Sequence, residues 1–345
     1  MNRSRINALM HKIVNDLEID LTGQTVLTEC ASNLFAVTPL IAALAGADKV
    51  IAYAKDTKYG LTKDTMAFLD TWAEELGVSD RVFATSQAPH TFAKDVNIVT
   101  NLNLLRPINE DVINALPVDS CIPLMWEPWE FREEDLDLNH CNKKGIPVLG
   151  TNETHPRLEI FRYVGLTALK LLFEMDIEVF QSKIAIIGGD PFAKEADDVL
   201  SALEAETLVL DPQEYPDLST PAVKDKLKDC DAIVVLEHHS KEMVIGGDNG
   251  IPVTWISENS IALVHICGGI DDVALKNANI TKHPNIDVAP GYMTATTAYM
   301  GPRAVVDLHA AGLKVGELVV KGLRSGLTPD EAKAKAVASG IALDF

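Results

Sequence analysis

The chain has 345 residues, 47% of them hydrophobic, enough for two domains of ordinary size with a core each. Its formal charge of −20 excludes the broad basic face that nucleic acid or an anionic membrane requires. The five cysteines (Cys30, Cys121, Cys141, Cys230, Cys267) are scattered and form no C-x-x-C pair, which predicts reduced thiols in a cytoplasmic protein and excludes a disulfide frame or zinc knuckle.

At the start, Ile6, Leu9, Met10, Ile13 and Leu17 recur at helical spacing among polar residues. They predict an amphipathic helix, without the continuous apolar core of a signal peptide or a run of ~18 apolar residues able to span a bilayer. Short apolar strands are then predicted at 25–28, 49–54, 81–85, 96–100, 122–126 and 146–149, with helices at 34–45, 63–76 and 110–116 between them. Leu158, Phe161, Val164, Ala168, Leu171 and Leu172 mark a long helix near 156–174. Further strands are predicted at 183–187, 207–210, 232–236, 253–256, 262–266 and 286–288. Thr328-Pro-Asp-Glu331 is a helix start, with threonine at the cap, proline at the first helical position and glutamate at the third. Strand–helix alternation throughout predicts an α/β fold: two Rossmann-like domains with mainly parallel sheets separated by a cleft. The expected division is 1–152, joined by C-terminal helices from 293–345, and 153–292.

The segment Lys183 to Asp211 reads strand, turn, helix, strand, acid, the order in which a Rossmann unit holds an adenine nucleotide. Gly188, Gly189, Asp190, Phe192 and Asp211 are the candidate cofactor contacts. The turn is G-x-D-x-x-A where the fingerprint wants G-x-G-x-x-G/A. Aspartate is a favoured N-cap and proline suits the first helical position, so the Asp190 carboxylate is expected to accept the helix's free N–H groups, where a phosphate would otherwise bind. A dinucleotide in a shifted pose, or a nucleoside ligand without pyrophosphate such as S-adenosylmethionine, is the alternative. Asp211 fits either a ribose contact or a solvated turn.

Other candidates sit at predicted strand ends, where parallel sheets present ligands. Glu237, His238 and His265 form an acid–base set, with Glu237 also a cofactor contact. The adjacent His238 and His239 point opposite ways on an extended segment, so no metal site is expected. Cys267 is either a thiolate beside the cofactor or a buried inert thiol. Glu153 and His155 are further acid–base candidates. Glu29, Asn33, Trp126, Glu127, Asn152 and Tyr292 are candidate substrate contacts, with Arg157 and Trp129 beside them. Each also fits a plainer role as a cap, a solvated loop or a core residue.

Three segments together resemble the D-2-hydroxyacid dehydrogenase (formate/glycerate dehydrogenase) superfamily: Phe131 to Leu138 with Lys144-Gly-Ile-Pro-Val-Leu-Gly-Thr-Asn152 and the helix after it, Asp231-Ala-Ile-Val-Val-Leu-Glu-His-His239, and Ala262-Leu-Val-His-Ile-Cys-Gly-Gly-Ile-Asp-Asp-Val-Ala-Leu275. Val288-Ala-Pro-Gly291 falls near a fourth motif. The resemblance implies a substrate domain, a nucleotide-binding domain, NAD or NADP as cofactor, a small-molecule substrate and a homodimer formed around the long helix. It also shows departures. The family's catalytic arginine aligns with Gly268, its histidine with Gly291, and the stretch bearing its glutamate is missing between Leu275 and Ile286. Glycine can neither grip a carboxylate nor move a proton. In the first half, Thr25 to Asn33, Gly46 to Asp56 and Leu76 to Phe83 loosely resemble class I methyltransferase motifs, with Cys30-Ala-Ser-Asn33 in place of their glycine-rich turn. Three functions follow as expectations: an NAD(P)-linked oxidoreductase on a small metabolite, an enzyme using another adenosine ligand such as S-adenosylmethionine, and a non-catalytic binding or scaffold protein.

Overall fold

The computed structural model describes all 345 residues, which fall into two compact units: Met1–Leu158 with Pro302–Phe345, and Glu159–Gly301. No helix is long and apolar enough to cross a membrane.

The first unit opens with α1 (Arg3–Asp16), which buries Ile6, Leu9, Met10 and Ile13 and is capped by Asn2, whose side chain accepts the Arg5 N–H. Then follow β1 (Thr25–Glu29), α2 (Val37–Leu44), β2 (Lys49–Tyr53), α3 (Thr62–Glu75), β3 (Val82–Thr85), β4 (Ile98–Val99), α4 (Glu110–Ala115), β5 (Ile122–Pro123), α5 (Leu138–Lys144) and β6 (Val148–Thr151). A bridge between Ile98 and Cys121 joins two hydrogen-bonded groups of strands into the order β3-β2-β1-β4-β5-β6, all parallel. The inner strand β1 is buried along Val26–Glu29, as expected of a strand covered on both faces.

The second unit contains α6 (Arg162–Glu174), β7 (Lys183–Ile187), α7 (Phe192–Ser201), β8 (Glu206–Leu210), α8 (Pro221–Leu227), β9 (Ala232–Val235), α9 (Val253–Glu258), β10 (Ala262–His265), α10 (Asp272–Asn277) and β11 (Lys282–His283). Its parallel sheet runs β11-β10-β9-β7-β8. Two apolar layers enclose it, one around Val164, Leu171, Ile184, Ala196 and Val234, the other around Ile187, Leu218, Ile233, Ile245 and Leu263.

The chain then returns to the first unit through α11 (Pro302–Arg324) and α12 (Pro329–Val337) and ends in β12 (Ala342–Leu343), which pairs antiparallel with β6. The cap of α12 is as expected: Glu331 N–H donates to Thr328 Oγ1, and Thr328 N–H donates to the Glu331 carboxylate.

Two expected strands are absent. Residues 253–256 lie in α9: Pro252 ends the preceding extended chain, and the segment buries Ile256 on one side as a helix does. Residues 286–288 form no strand; Ile286 is exposed and Lys282–His283 makes the sheet edge instead. The helix near 156–174 starts only at Arg162, after turns that still bury Leu158 and Phe161. Against it lies α7: a Cβ on Gly165 would stand 2.2 Å from the Glu195 carbonyl oxygen. Gly165→Ala must therefore push α6 off α7, and we expect a loss of about 2–3 kcal/mol. Urea unfolding followed by circular dichroism measures it; an unchanged midpoint would refute the packing described.

Candidate functional site

In the second unit the strand order reverses between β7 and β9, the kind of switch point at which open α/β sheets bind ligands. Gly188 leaves β7 with φ +153°, and a Cβ there would lie 2.8 Å from the Leu236 carbonyl carbon. Gly189 lies against Asp211, whose Oδ2 would be 3.0 Å from a Cβ and whose Oδ1 accepts the Gln213 N–H at 2.8 Å. The strand–turn–helix–strand–acid unit thus assembles as its sequence order suggests.

The expectation for Asp190 fails. The helix α7 begins at Phe192 with Pro191 in the cap position, and no side chain caps it. Asp190 stands one residue too early, exposed, and its carboxylate accepts none of the helix's N–H groups. Its carbonyl accepts a hydrogen bond from His239 Nε2 at 2.8 Å. The amides of Gly189 and Asp190 donate to no protein acceptor, so the anion-binding end of α7 is not filled by this carboxylate.

Across the switch point, Glu237 is buried and its Oε1 accepts the N–H groups of His239 (2.8 Å) and Ser240 (2.6 Å). The His238 ring stacks on Phe192, centroids 4.0 Å apart, with Nδ1 3.2 Å from the Leu236 carbonyl. Burial, with His239 alongside, lowers its pKa to about 4. Phe192 is itself buried and also packs against Phe161. His265 has both ring nitrogens at backbone carbonyls, Nδ1 3.2 Å from Cys267 and Nε2 2.8 Å from Pro284. Cys267 is fully buried, and burial raises its thiol far above the range of a reactive thiolate. Tyr292 is exposed, and its carbonyl accepts the Gly268 N–H at 2.9 Å. Beside the ends of β8 and β9 lies a cavity of about 470 Å³. Pro212, Tyr215, Met243 and Val244 wall it, and its charged lining is Glu237, Glu242 and Asp248, with no lysine or arginine.

The first unit has its own reversal, between β1 and β4. Glu29 ends β1, buried, its Oε2 accepting the Leu104 N–H at 3.0 Å. Burial raises its pKa to about 7. Asn33 follows with φ +54° at the start of a 3₁₀ turn. Further along the edge, Glu127 Oε1 accepts the Glu153 N–H at 3.0 Å and Oε2 the Trp129 indole N–H at 2.9 Å. The carboxyls of Glu153 and Glu130 hydrogen-bond to each other. Burial raises both, Glu130 to about 7 and Glu153 well above the usual carboxylate range. Asn152 and His155 are turned to other tasks. Asn152 holds the Gly340 carbonyl at 2.8 Å and the Thr154 hydroxyl at 2.7 Å. His155 lines a small cavity with Leu17, Arg157 and Lys314. Sequence reasoning overlooked Glu130, and also Arg106, which pairs with Asp135 at 2.6 Å and lies over the Trp126 ring. A charged residue just past the short β4 was the available signal for Arg106.

No protein-family profile matches this sequence, and no curated protein matches it. Solved structures do. A dipicolinate synthase chain from Bacillus halodurans is similar with a TM-score of 0.50 at 13% identity, over 88% of this chain and 99% of that one. D-lactate dehydrogenase from Escherichia coli gives 0.49 at 12% identity, over 88% and 98%. NAD⁺-bound 3-phosphoglycerate dehydrogenase from Entamoeba histolytica gives 0.45 at 12%, over 88% and 97%. The fold is shared with that dipicolinate synthase chain. At such identity the likeness is one of fold. The departure at Gly268 is built in, since a Cβ there would meet the Ala289 carbonyl oxygen at 2.2 Å and no arginine fits.

The buried carboxyls have a thermodynamic consequence. A carboxyl whose pKa is raised on folding adds stability below its unfolded value near 4.3 and loses it as pH climbs through the folded value, here about 7 for Glu130. His238 and His309, both lowered to about 4, act oppositely, adding stability that is lost as pH falls from about 6.5. Above pH 6.5 the carboxyls therefore dominate. We expect Glu153→Gln to raise the melting temperature at pH 8 by roughly 2–4 °C, about 1 kcal/mol, and to flatten its decline between pH 6.5 and 8. Scanning calorimetry across that range checks it; parallel curves for the two proteins would show that Glu153 is ionised throughout.

Proposed function

We propose that the chain is an NAD-linked oxidoreductase acting on a small metabolite, with the second unit holding the cofactor. The observation that carries this reading is the uncapped start of α7: free amides at Gly189 and Asp190 and a helix N-terminus form an anion site near the cavity at the ends of β8 and β9. The close approach of Gly188 to β9 and the placement of Asp211 against Gly189 fit the same ligand, with Asp211 toward a ribose diol. The purely acidic charged lining favours NAD over NADP, whose extra phosphate would face carboxylates with no arginine to receive it. A bound nicotinamide cofactor would supply the hydride chemistry. Among the acid–base candidates, His238 and the proton-holding Glu153 stay in this reading. His265, tied at both nitrogens, leaves it.

A second reading has one observation in its favour. The same acidic lining suits a cationic nucleoside such as S-adenosylmethionine, which needs no anion site. Isothermal titration of the full chain separates the two. We expect NAD⁺ or NADH to bind more tightly than NADP⁺ or S-adenosylmethionine. Asp190→Asn, which removes an exposed negative charge beside the anion site, should tighten NAD⁺ binding by ~3–10-fold. No NAD(H) binding at millimolar concentration would end the first reading. Heat from S-adenosylmethionine alone would select the second.

The resemblance also carries a homodimer. Phe173 and Phe180, exposed at and just beyond the end of α6, are apolar surface consistent with one. Light scattering should return about twice the 37.5 kDa chain mass; the monomer mass would remove this part of the reading.

A further inference from the structure

The loop that follows β4 in the first unit carries a guanidinium whose hydrogen-bonding capacity is only partly used. Arg106 Nη1 donates to Asp135 Oδ2 at 2.6 Å. The nitrogen of that guanidinium nearest the side-chain stem, Nε, is buried and donates to nothing. Nη2 has no protein acceptor either. Nε and Nη2 together form the side-on fork that matches the two oxygens of a carboxylate, whereas Nη1 lies outside that fork.

A second unused donor lies beside it. The Arg106 guanidinium stands 5.0 Å from the centroid of the Trp126 ring, and the Trp126 indole Nε1 is also buried without an acceptor. Buried donors are nearly always paired, so two orphans on stacked side chains point to a missing acceptor. The surroundings hold the arrangement in place. Asp135 fixes the outer nitrogen, and the Ile108 N–H donates to the Asp135 carbonyl at 2.9 Å, bracing the loop. Trp126 supports the plane of the guanidinium. At the other end of the loop, the Leu104 N–H is anchored on Glu29. Burial keeps Glu29 largely protonated below about pH 7, so it adds little repulsion toward an anion there.

We propose that Arg106 and Trp126 form a binding subsite for a small planar carboxylate in the first unit, with Asp135 as its positioning residue. The guanidinium fork receives both oxygens of the carboxylate, and the indole N–H donates to one of them. The subsite involves the first unit alone and stands whether or not the second unit binds a dinucleotide.

Oxalate is the probe, titrated calorimetrically into the full chain near pH 6.5, with inorganic phosphate as the tetrahedral control. Wild type is expected to bind oxalate at millimolar concentration and at least ~10-fold more tightly than phosphate. Arg106→Lys keeps the charge but loses the fork, and should weaken oxalate by ~10–100-fold. Trp126→Phe keeps the ring but loses the N–H, and should weaken it by ~3–10-fold. Asp190→Asn, at the anion site of the other unit, should leave oxalate binding unchanged. Circular dichroism establishes that each variant is folded; should Arg106→Lys unfold, Trp126→Phe decides alone. The proposal is overturned if oxalate fails to bind at ~20 mM, if neither fork nor indole variant changes its affinity, if phosphate binds equally well, or if Asp190→Asn tightens oxalate by ~3–10-fold, which would place it at the other unit's helix end.

Discussion

Between the ends of β7 and β9 there is no space for a side chain: a Cβ on Gly188 would sit under 3 Å from the Leu236–Glu237 backbone. Everything in the second unit's candidate site follows from that contact. It brings the turn after β7 against the turn after β9, so that Glu237 and His238 face the start of α7. The amides of Gly189 and Asp190, in the same turn, donate to no protein acceptor. Parallel strands cannot be joined by hairpins, so each returns through a helix, and where the order reverses two loops diverge and leave a crevice. The same constraint acts in the first unit, where β1 and β4 separate and leave Glu29 and the loop leading to Arg106 at the sheet edge.

Charge is distributed in a way that the net value conceals. The chain is strongly acidic, yet burial raises the pKa of several of its carboxyls: Glu29, Glu130, Glu153 and, on α11, Asp307, which rises to about 6. Glu29, Glu130 and Glu153 lie at carboxyl ends of the first unit's strands. Desolvation favours the uncharged form of an isolated acid, and two acids in contact keep a proton between them. Burial brings Glu29 and Glu130 to about 7, the range in which a carboxyl exchanges its proton near neutral pH. The second unit presents the reverse case: its cavity is lined by Glu237, Glu242 and Asp248 with no lysine or arginine.

Much of the fold could be read from the chain. The strands at Thr25–Glu29, Lys183–Ile187 and Ala232–Val235 are apolar runs of strand length because they are covered on both faces, and the cap at Thr328 is a local interaction among four residues. Local reasoning failed where packing overrode preference. Residues 253–256, with Val253, Thr254 and Ile256, favour a strand, yet they form a helix that fully buries only Ile256 while Val253 and Trp255 lie partly buried against the same core. The candidate site was less legible. Asp190 was expected to cap α7 because aspartate before proline usually does; a one-residue displacement of the helix start removed that bond and left the Gly189 and Asp190 amides without a protein acceptor. Glu153 and His155, two residues apart, were grouped as candidates, yet one joins a carboxyl pair and the other lines a different cavity.

Residue type and spacing along the chain were enough to read the alternation of strands and helices and the α/β class, and to suggest the resemblance to the dehydrogenase superfamily. The strand orders came only with packing, as did the choice of Arg106 nitrogen that Asp135 engages, the unpaired donors that Trp126 and Arg106 hold side by side, and the burial that raises the carboxyls of Glu130 and Glu153. Those properties arise between residues distant in sequence or from which atoms are shut off from water, and neither exists until the layers have closed on one another.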